Sequence, residues 1–216
     1  MNNTSLLHVL CERYPALSIL ESSIGAAANA IIDCYSTGGK LLICGNGGSS
    51  SDADHMVGEL MKCFESVRPL QQSTKESLIK TEGIRGRYLA QKLERGLPAI
   101  SLSAHAAVST AIANDIDPNL IFAQQVNVYG TDKDILIAIS SSGNSQNVVD
   151  ACITAKAFNM KVIGMTGKTG GKMKKFCDIL INVREIRTAY VQELHLPVLH
   201  TLCLIAEKHF FDNTKN

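Results

Sequence analysis

His55 and Glu59 stand four residues apart in a stretch of helical periodicity, Asp52-Ala53-Asp54-His55-Met56-Val57-Gly58-Glu59-Leu60-Met61. At that spacing an imidazole and a carboxylate share one helix face, where together they can move a proton or hold a divalent metal. A second candidate helix carries Gln192, Glu193, His195 and His200. A lone helical histidine is more often structural, so the value of these residues lies in their combination across two helices. A third group, Ser140-Ser141-Ser142-Gly143-Asn144-Ser145, places four hydroxyls just before a helical pattern that opens at Asn147-Val148-Val149. Helix N-termini favour anions, and a simple cap needs one serine rather than four. The serine turn is therefore read as a phosphate grip.

These groups need a scaffold that presents them together. Ile135-Leu136-Ile137-Ala138-Ile139 is a continuous apolar run, as expected of a parallel strand covered on both faces, and it runs directly into the serine turn. Leu41-Leu42-Ile43-Cys44 likewise runs into Gly45-Asn46-Gly47-Gly48-Ser49-Ser50-Ser51 and then the His55 helix. Ala99–Leu102, Val162–Met165 and Ile179–Val183 supply three further strands separated by helical stretches, and Leu17 to Tyr35 reads as an N-terminal helix. Five strands alternating with helices predict an α/β fold, a doubly wound five-stranded parallel sheet flanked by helices. Ligands of such sheets bind beyond the carboxyl ends of the strands, where both turns lie.

The first turn lacks GxGxxG spacing and a P-loop lysine, which disfavours a dinucleotide. Gly47 and Gly48 read either as a tight turn or as a place where backbone approaches a ligand, while Asn46 and Ser49 can bond sugar hydroxyls or phosphate. His105, after the second strand, could face the same site. Lys168, Lys172, Lys174 and Lys175 form a basic cluster read as a solvated face, and Asp52 and Asp54 as favourable charges in a first helical turn.

The 216 residues suit one domain, spanning 1–216. With 45% hydrophobic and 19% charged residues, and 21 Lys and Arg against 20 Asp and Glu, the chain carries no broad nucleic-acid or membrane-surface footprint. Seven cysteines without a CxxC pair read as buried free thiols. No apolar run reaches the length of a membrane span, and the start has no signal-peptide pattern. The cytoplasm is the expected compartment, with neither nucleic acid nor membrane as partner.

Taken in order, Cys44-Gly45-Asn46-Gly47-Gly48-Ser49 with Asp52, His55 and Glu59, then Asn114-Asp115, then Ser140 to Ser145, then Gln192-Glu193-x-His195 and His200, closely resemble the phosphoheptose isomerases of the sugar isomerase (SIS) fold. The resemblance runs from about Leu17 to Glu207. It implies aldose-ketose isomerisation of sedoheptulose 7-phosphate to D-glycero-D-manno-heptose 7-phosphate, in a homotetramer with sites shared between subunits. Ser49, Ser140, Ser142 and Ser145, with Ser141 beside them, would hold the phosphate, and Asn46 and Asp115, with Asn114, Gly47, Gly48 and Gln192 nearby, would contact substrate. One zinc ion per subunit would be bound by His55, Glu59, Gln192 and His200, and Glu59 and His200 would also be the acid and base. Gln192 enters by resemblance alone, because on an ideal helix it is rotated by roughly 80° from His200. Pro197 should either kink that helix or mark its true beginning.

The chain departs from the family pattern in two places. Residues 65–96 read as an insertion, with little periodicity from Ser66 to Leu78 and a short helix suggested by Ile84, Tyr88, Leu89 and Leu93; it is either a surface or intersubunit arm or a lid. Tyr190 stands where family members commonly have Arg. The rival reading on the same scaffold is a non-catalytic tetramer of the replication-initiator-associating type, binding a sugar phosphate or a protein partner. Such proteins lack the acidic and imidazole pair that Glu59 and His200 provide.

Overall fold

The computed structural model describes residues 3–212. Its five strands, β1 (Leu41–Gly45), β2 (Ala99–Ser101), β3 (Ile135–Ser140), β4 (Lys161–Thr166) and β5 (Ile179–Asn182), form one parallel sheet in the order β2-β1-β3-β4-β5. The chain builds outward from β1 to β2, then returns to the other side of β1 to lay down β3. The switch in direction therefore falls between β1 and β3, whose last aligned pair is Gly45 with Ile139. The glycine turn after β1 and the serine turn after β3 leave the sheet side by side for this reason.

Alternate residues of the central strands enter two cores. Leu41, Ile43, Ile135, Ile137, Ile139, Ile163 and Met165 face α1 (Asn3–Arg13), α2 (Glu21–Ser36), α3 (Gly48–Met61) and the terminal helix. Leu42, Cys44, Leu136, Ala138 and Val162 face the helices on the opposite side. Between β1 and β2, α3 is followed by α4 (Gln72–Thr81) and α5 (Gly83–Lys92); α6 (Ala106–Asp115) and α7 (Ile121–Tyr129) precede β3, α8 (Gln146–Ala157) precedes β4, and α9 (Thr188–Phe211) ends the described chain.

Three local expectations are revised. The stretch from Leu17 to Tyr35 is not one helix: Pro15–Leu20 is a 3-10 turn that seats Leu17 and Leu20 in the core, because three-residue turns align i and i+3, and α2 follows it. The polar stretch from Ser66 to Leu78 runs into α4, which starts at Gln72 and ends at Thr81, a helix with no buried residue that pairs with α5. Periodicity gave no sign of it because there is no apolar face to bury. Asp52 and Asp54 lie beyond the first turn of α3, which starts at Gly48.

Among the described residues one stretch, Pro15–Ser36, is long and apolar enough to cross a membrane by length and composition alone. Its Leu17, Leu20, Ile24, Ala27, Ala28 and Ile31 are buried in the first core. All seven cysteines are free thiols, but only Cys34, Cys44, Cys152 and Cys203 are buried as expected, while Cys11, Cys63 and Cys177 are half-buried.

Asp134 fastens the starts of β1 and β3 together. Its carboxylate accepts from the Lys40 backbone N–H at 2.8 Å and from Lys40 Nζ at 2.6 Å, and from the N–H and hydroxyl of Thr131 at 2.8 Å each. Burial alone would raise its pKa, but the Lys40 and Thr131 bonds outweigh burial and hold the carboxyl below its ordinary value. A depressed carboxyl contributes stability above its unfolded pKa and loses it as pH falls through the folded value, so this contribution disappears below about pH 4. Asp134→Asn is expected to cost about 1–3 kcal/mol at neutral pH and to flatten the acid limb of a urea-melt series. Equal stability of the two proteins at pH 7 would contradict this.

Candidate active site

The site begins where β1 stops. Leaving Gly45, the chain turns through Asn46 and Gly47 and enters α3 at once, with the N–H groups of Ser50 and Ser51 donating to the Gly47 carbonyl. Ser49, one residue into the helix, is buried. The side chain of Gln192 lies close against Gly48: a Cβ there would sit 2.6 Å from its Nε2. The Gln192 amide thus packs on the N-terminal end of α3.

Farther along α3, Glu59 is buried at 6% exposure. Its Oε1 lies 2.8 Å from Nε2 of His55 and 3.4 Å from Nε2 of His200. The two imidazoles meet edge to face with centroids 5.1 Å apart, and Phe64 flanks His200 at 5.8 Å. The second carboxylate oxygen, Oε2, is buried with no hydrogen-bond partner. Cys203 lies beneath, its thiol pushed well up by burial and by the charge of Glu59, so it adds a neutral floor.

The ligand atoms of His55, Glu59 and His200 all lie within 4.8 Å of one another. A buried carboxylate between two imidazoles, with an oxygen left unpaired, is an electron-rich pocket that a cation would satisfy, and the N/O donor set suits a borderline divalent metal. These residues fit a metal centre. Gln192 is seated at the other end of α3, against Gly48. Both residues of α9 therefore address α3 at different heights, with Pro197 between them inside an unbroken helix rather than at its start.

Asp52 is a contributor that the sequence reading assigned elsewhere. It precedes His55 by three residues and Glu59 by seven, on the same helix face, and its Oδ2 is buried without a partner. Burial pushes its carboxyl up, with His55 and His200 working against the rise. Helical spacing alone could have identified it. His195 goes the other way. It is fully buried, donates from Nε2 to the Thr166 carbonyl at 3.2 Å, and is driven down to about 4 by burial, so it is a neutral imidazole at the end of β4 outside the cluster.

Beside the first turn, the serine turn is braced from within. The hydroxyls of Ser140 and Ser145 lie 3.2 Å apart, and Ser140 Oγ accepts from the Gly143 N–H at 3.2 Å. The Ser142 hydroxyl accepts from the Asn144 N–H at 3.1 Å. Ser145 occupies the cap position of α8 without a side-chain capping bond. Ser140 is buried, Ser141 and Ser145 are half-buried and Ser142 is exposed. The two turns are latched by a reciprocal amide pair in which Asn46 and Asn147 exchange 2.9 Å hydrogen bonds. No local signal marks Asn147, since its partner is 101 residues away.

Asn114 and Asp115 end α6, exposed and bonded to each other at 2.7 Å, and no described hydrogen bond links them to either turn. His105 precedes α6 and lines a cleft with Asp54, Val57 and Gly58. Lys172, Lys174 and Lys175 lie on a 3-10 turn beside Phe176. Tyr190 is held by Arg187, whose Nη1 donates to the phenol oxygen at 2.9 Å and whose guanidinium lies over the ring at 4.5 Å.

The SIS domain family model matches residues 15–95 and 84–167. The phosphoheptose isomerase of Helicobacter pylori strain P12 is 40% identical over 196 residues, covering 90% of this chain and 88% of its own. That of Laribacter hongkongensis is 37% identical over 204 residues, covering 93% and 91%. A solved phosphoheptose isomerase from Francisella tularensis superposes with a TM-score of 0.75 at 32% identity, each chain covered to 91%. The family-model match, the 37–40% identity to curated relatives over 90–93% of this chain and the superposition at a TM-score of 0.75 agree, and the chain belongs to the phosphoheptose isomerase family of SIS domain proteins.

Proposed function

We propose that this chain isomerises a phosphorylated sugar between aldose and ketose, with sedoheptulose 7-phosphate and D-glycero-D-manno-heptose 7-phosphate as the pair. The observation that carries the reading is Glu59, a buried carboxylate flanked by two imidazoles, on the helix that starts at the ligand turn. Curated relatives and solved neighbours bearing the isomerase name support it over a catalytically silent tetramer.

In this reading the phosphate rests at the N-terminus of α8, against the hydroxyls of Ser141, Ser142 and Ser145, with Ser140 bracing the turn and Ser49 completing the pocket. Asn46, Gly47, Gly48 and Gln192 line the path of the sugar. Asn114 and Asp115 contribute as substrate contacts across a homotetramer, a role supported by their exposure on α6, a helix that buries only Ile112. The phosphate anchor delivers the carbonyl end to α3, where Glu59 and His200 move protons between C1, C2 and their oxygens. Zinc, when held by His55, Glu59 and His200, supplies polarisation of the carbonyl and hydroxyl oxygens; Gln192, seated against Gly48, would join them as a ligand only by swinging along α3 toward the cluster. The near-neutral charge and free cysteines support a cytoplasmic enzyme acting on a small molecule, without nucleic acid or membrane partner.

The test is incubation with sedoheptulose 7-phosphate in heavy water. Deuterium is expected at the carbon beside the carbonyl as the aldose appears, because the abstracted proton exchanges on a solvent-accessible base. Zinc-loaded, folded protein that yields neither aldose nor deuterated ketose would rule out this substrate.

A further inference from the structure

Arg68 and Glu207 form an ion pair with both side chains at 0% exposure, Nη2 to Oε1 at 2.7 Å. Removing two charges from water is costly, and a buried pair is weak grounds for stability, since apolar pairs of similar volume serve as well. The pair's other bonds show where it acts. Arg68 donates from Nη2 to the Glu59 carbonyl at 2.9 Å and from Nη1 to the Leu60 carbonyl at 2.6 Å, taking up two carbonyls that the end of α3 leaves without helical partners. Glu207 accepts from the N–H groups of Phe64 and Glu65, at 2.8 Å each. Phe64 so held sets its ring 5.8 Å from the His200 ring. Glu207 also follows His200 by seven residues, on the same face of α9.

One buried node therefore has a direct bond to the backbone of Glu59 and a one-residue link to the ring of His200. We infer that Arg68 and Glu207 are positioning residues that hold Glu59 and His200 at their working separation. Their placement also makes the root of the 65–96 segment part of the catalytic apparatus. The N–H of Arg95, at the far end of that segment, bonds the Arg68 carbonyl at 2.8 Å, so both ends of the α4–α5 hairpin meet at this node. The inference rests on the Glu59 and His200 site proposed above.

Arg68→Lys keeps a cation beside Glu207 but cannot reproduce the planar fork that spans the carboxylate and two carbonyls. In the folded variant, zinc affinity, measured by competition with a chromophoric chelator, is expected to weaken about 10- to 100-fold, as for other groups that orient metal ligands. The kcat should fall by a similar factor while KM for the sugar phosphate stays within about threefold, because the phosphate grip is on other elements. The double variant Arg68→Met with Glu207→Met replaces the pair by apolar bulk and should fold with the same two losses. A lowered melting temperature with unchanged zinc affinity and kcat, in either variant, would make the pair purely structural and overturn the inference. If the unmodified protein binds zinc but does not turn over the sugar, the substrate reading fails and zinc affinity still decides this one. If it turns over sugar without zinc, the kcat comparison decides, and if it does neither there is nothing to position and the inference falls.

Discussion

Glu59→Gln is expected to lower kcat by about 10²- to 10⁴-fold, the range a positioned proton-transfer group supplies, with a folded protein and little change in KM. The substitution preserves shape, which matters at a position 6% exposed. It removes the negative charge that faces both imidazoles at 2.8 and 3.4 Å, and an amide has no comparable basicity. Zinc affinity should fall in the same variant, because a carboxylate ligand is lost. His200→Ala should cost a similar factor. The double variant should be scarcely worse than either single one, since residues that act as a unit are not additive. Steady-state kinetics of the four proteins provides the check, and turnover unchanged in both single variants would end the catalytic assignment.

Gly143→Ala should damage the opposite end of the site. Gly143 has φ of +67°, where a side chain costs roughly 1–2 kcal/mol, and a Cβ there would run into the Gly170 carbonyl and the backbone of Gly171. Those atoms belong to the next turn, which the Gly143 carbonyl also holds by accepting from the Met173 N–H at 3.0 Å. Two backbone turns would have to part, and the total loss is expected at about 2–4 kcal/mol, a melting point lower by roughly 10 °C. The displaced turn carries the hydroxyls assigned to phosphate, so KM should rise at least tenfold while kcat at saturation changes less. Calorimetry and kinetics on the purified variant test both parts. An unchanged KM would separate the serine turn from phosphate binding.

How far the sequence carries depends on the range of the interaction involved. Strand runs such as Ile135–Ile139, the turns that end them and the spacing of His55 and Glu59 are local patterns, and each is legible from neighbouring residues. Asp52 could have been read from the same period. The α4 helix could not, since it buries nothing and leaves no apolar stripe. His200 is a candidate from its residue type on a second helix, but Gln192 rests on family resemblance, because a helix wheel separates the two and says nothing about which neighbour they face. The structure supplies that neighbour: α3, with Gly48 under Gln192 and Glu59 under His200.

By itself the sequence determined the alternation of strands and helices, the presence of two anion-favouring turns and the chemistry of the His55 helix, since these follow from backbone preference and side-chain period. Tertiary structure alone decided that β1 lies beside β3, that Asn46 pairs with Asn147, that His195 is sealed away while His200 joins Glu59, and that Arg68 meets Glu207 beneath them. Those contacts join residues far apart in the chain. They exist only because packing two apolar cores onto one sheet brings the helix ends to common points, where buried polar groups must find partners or pay for lacking them.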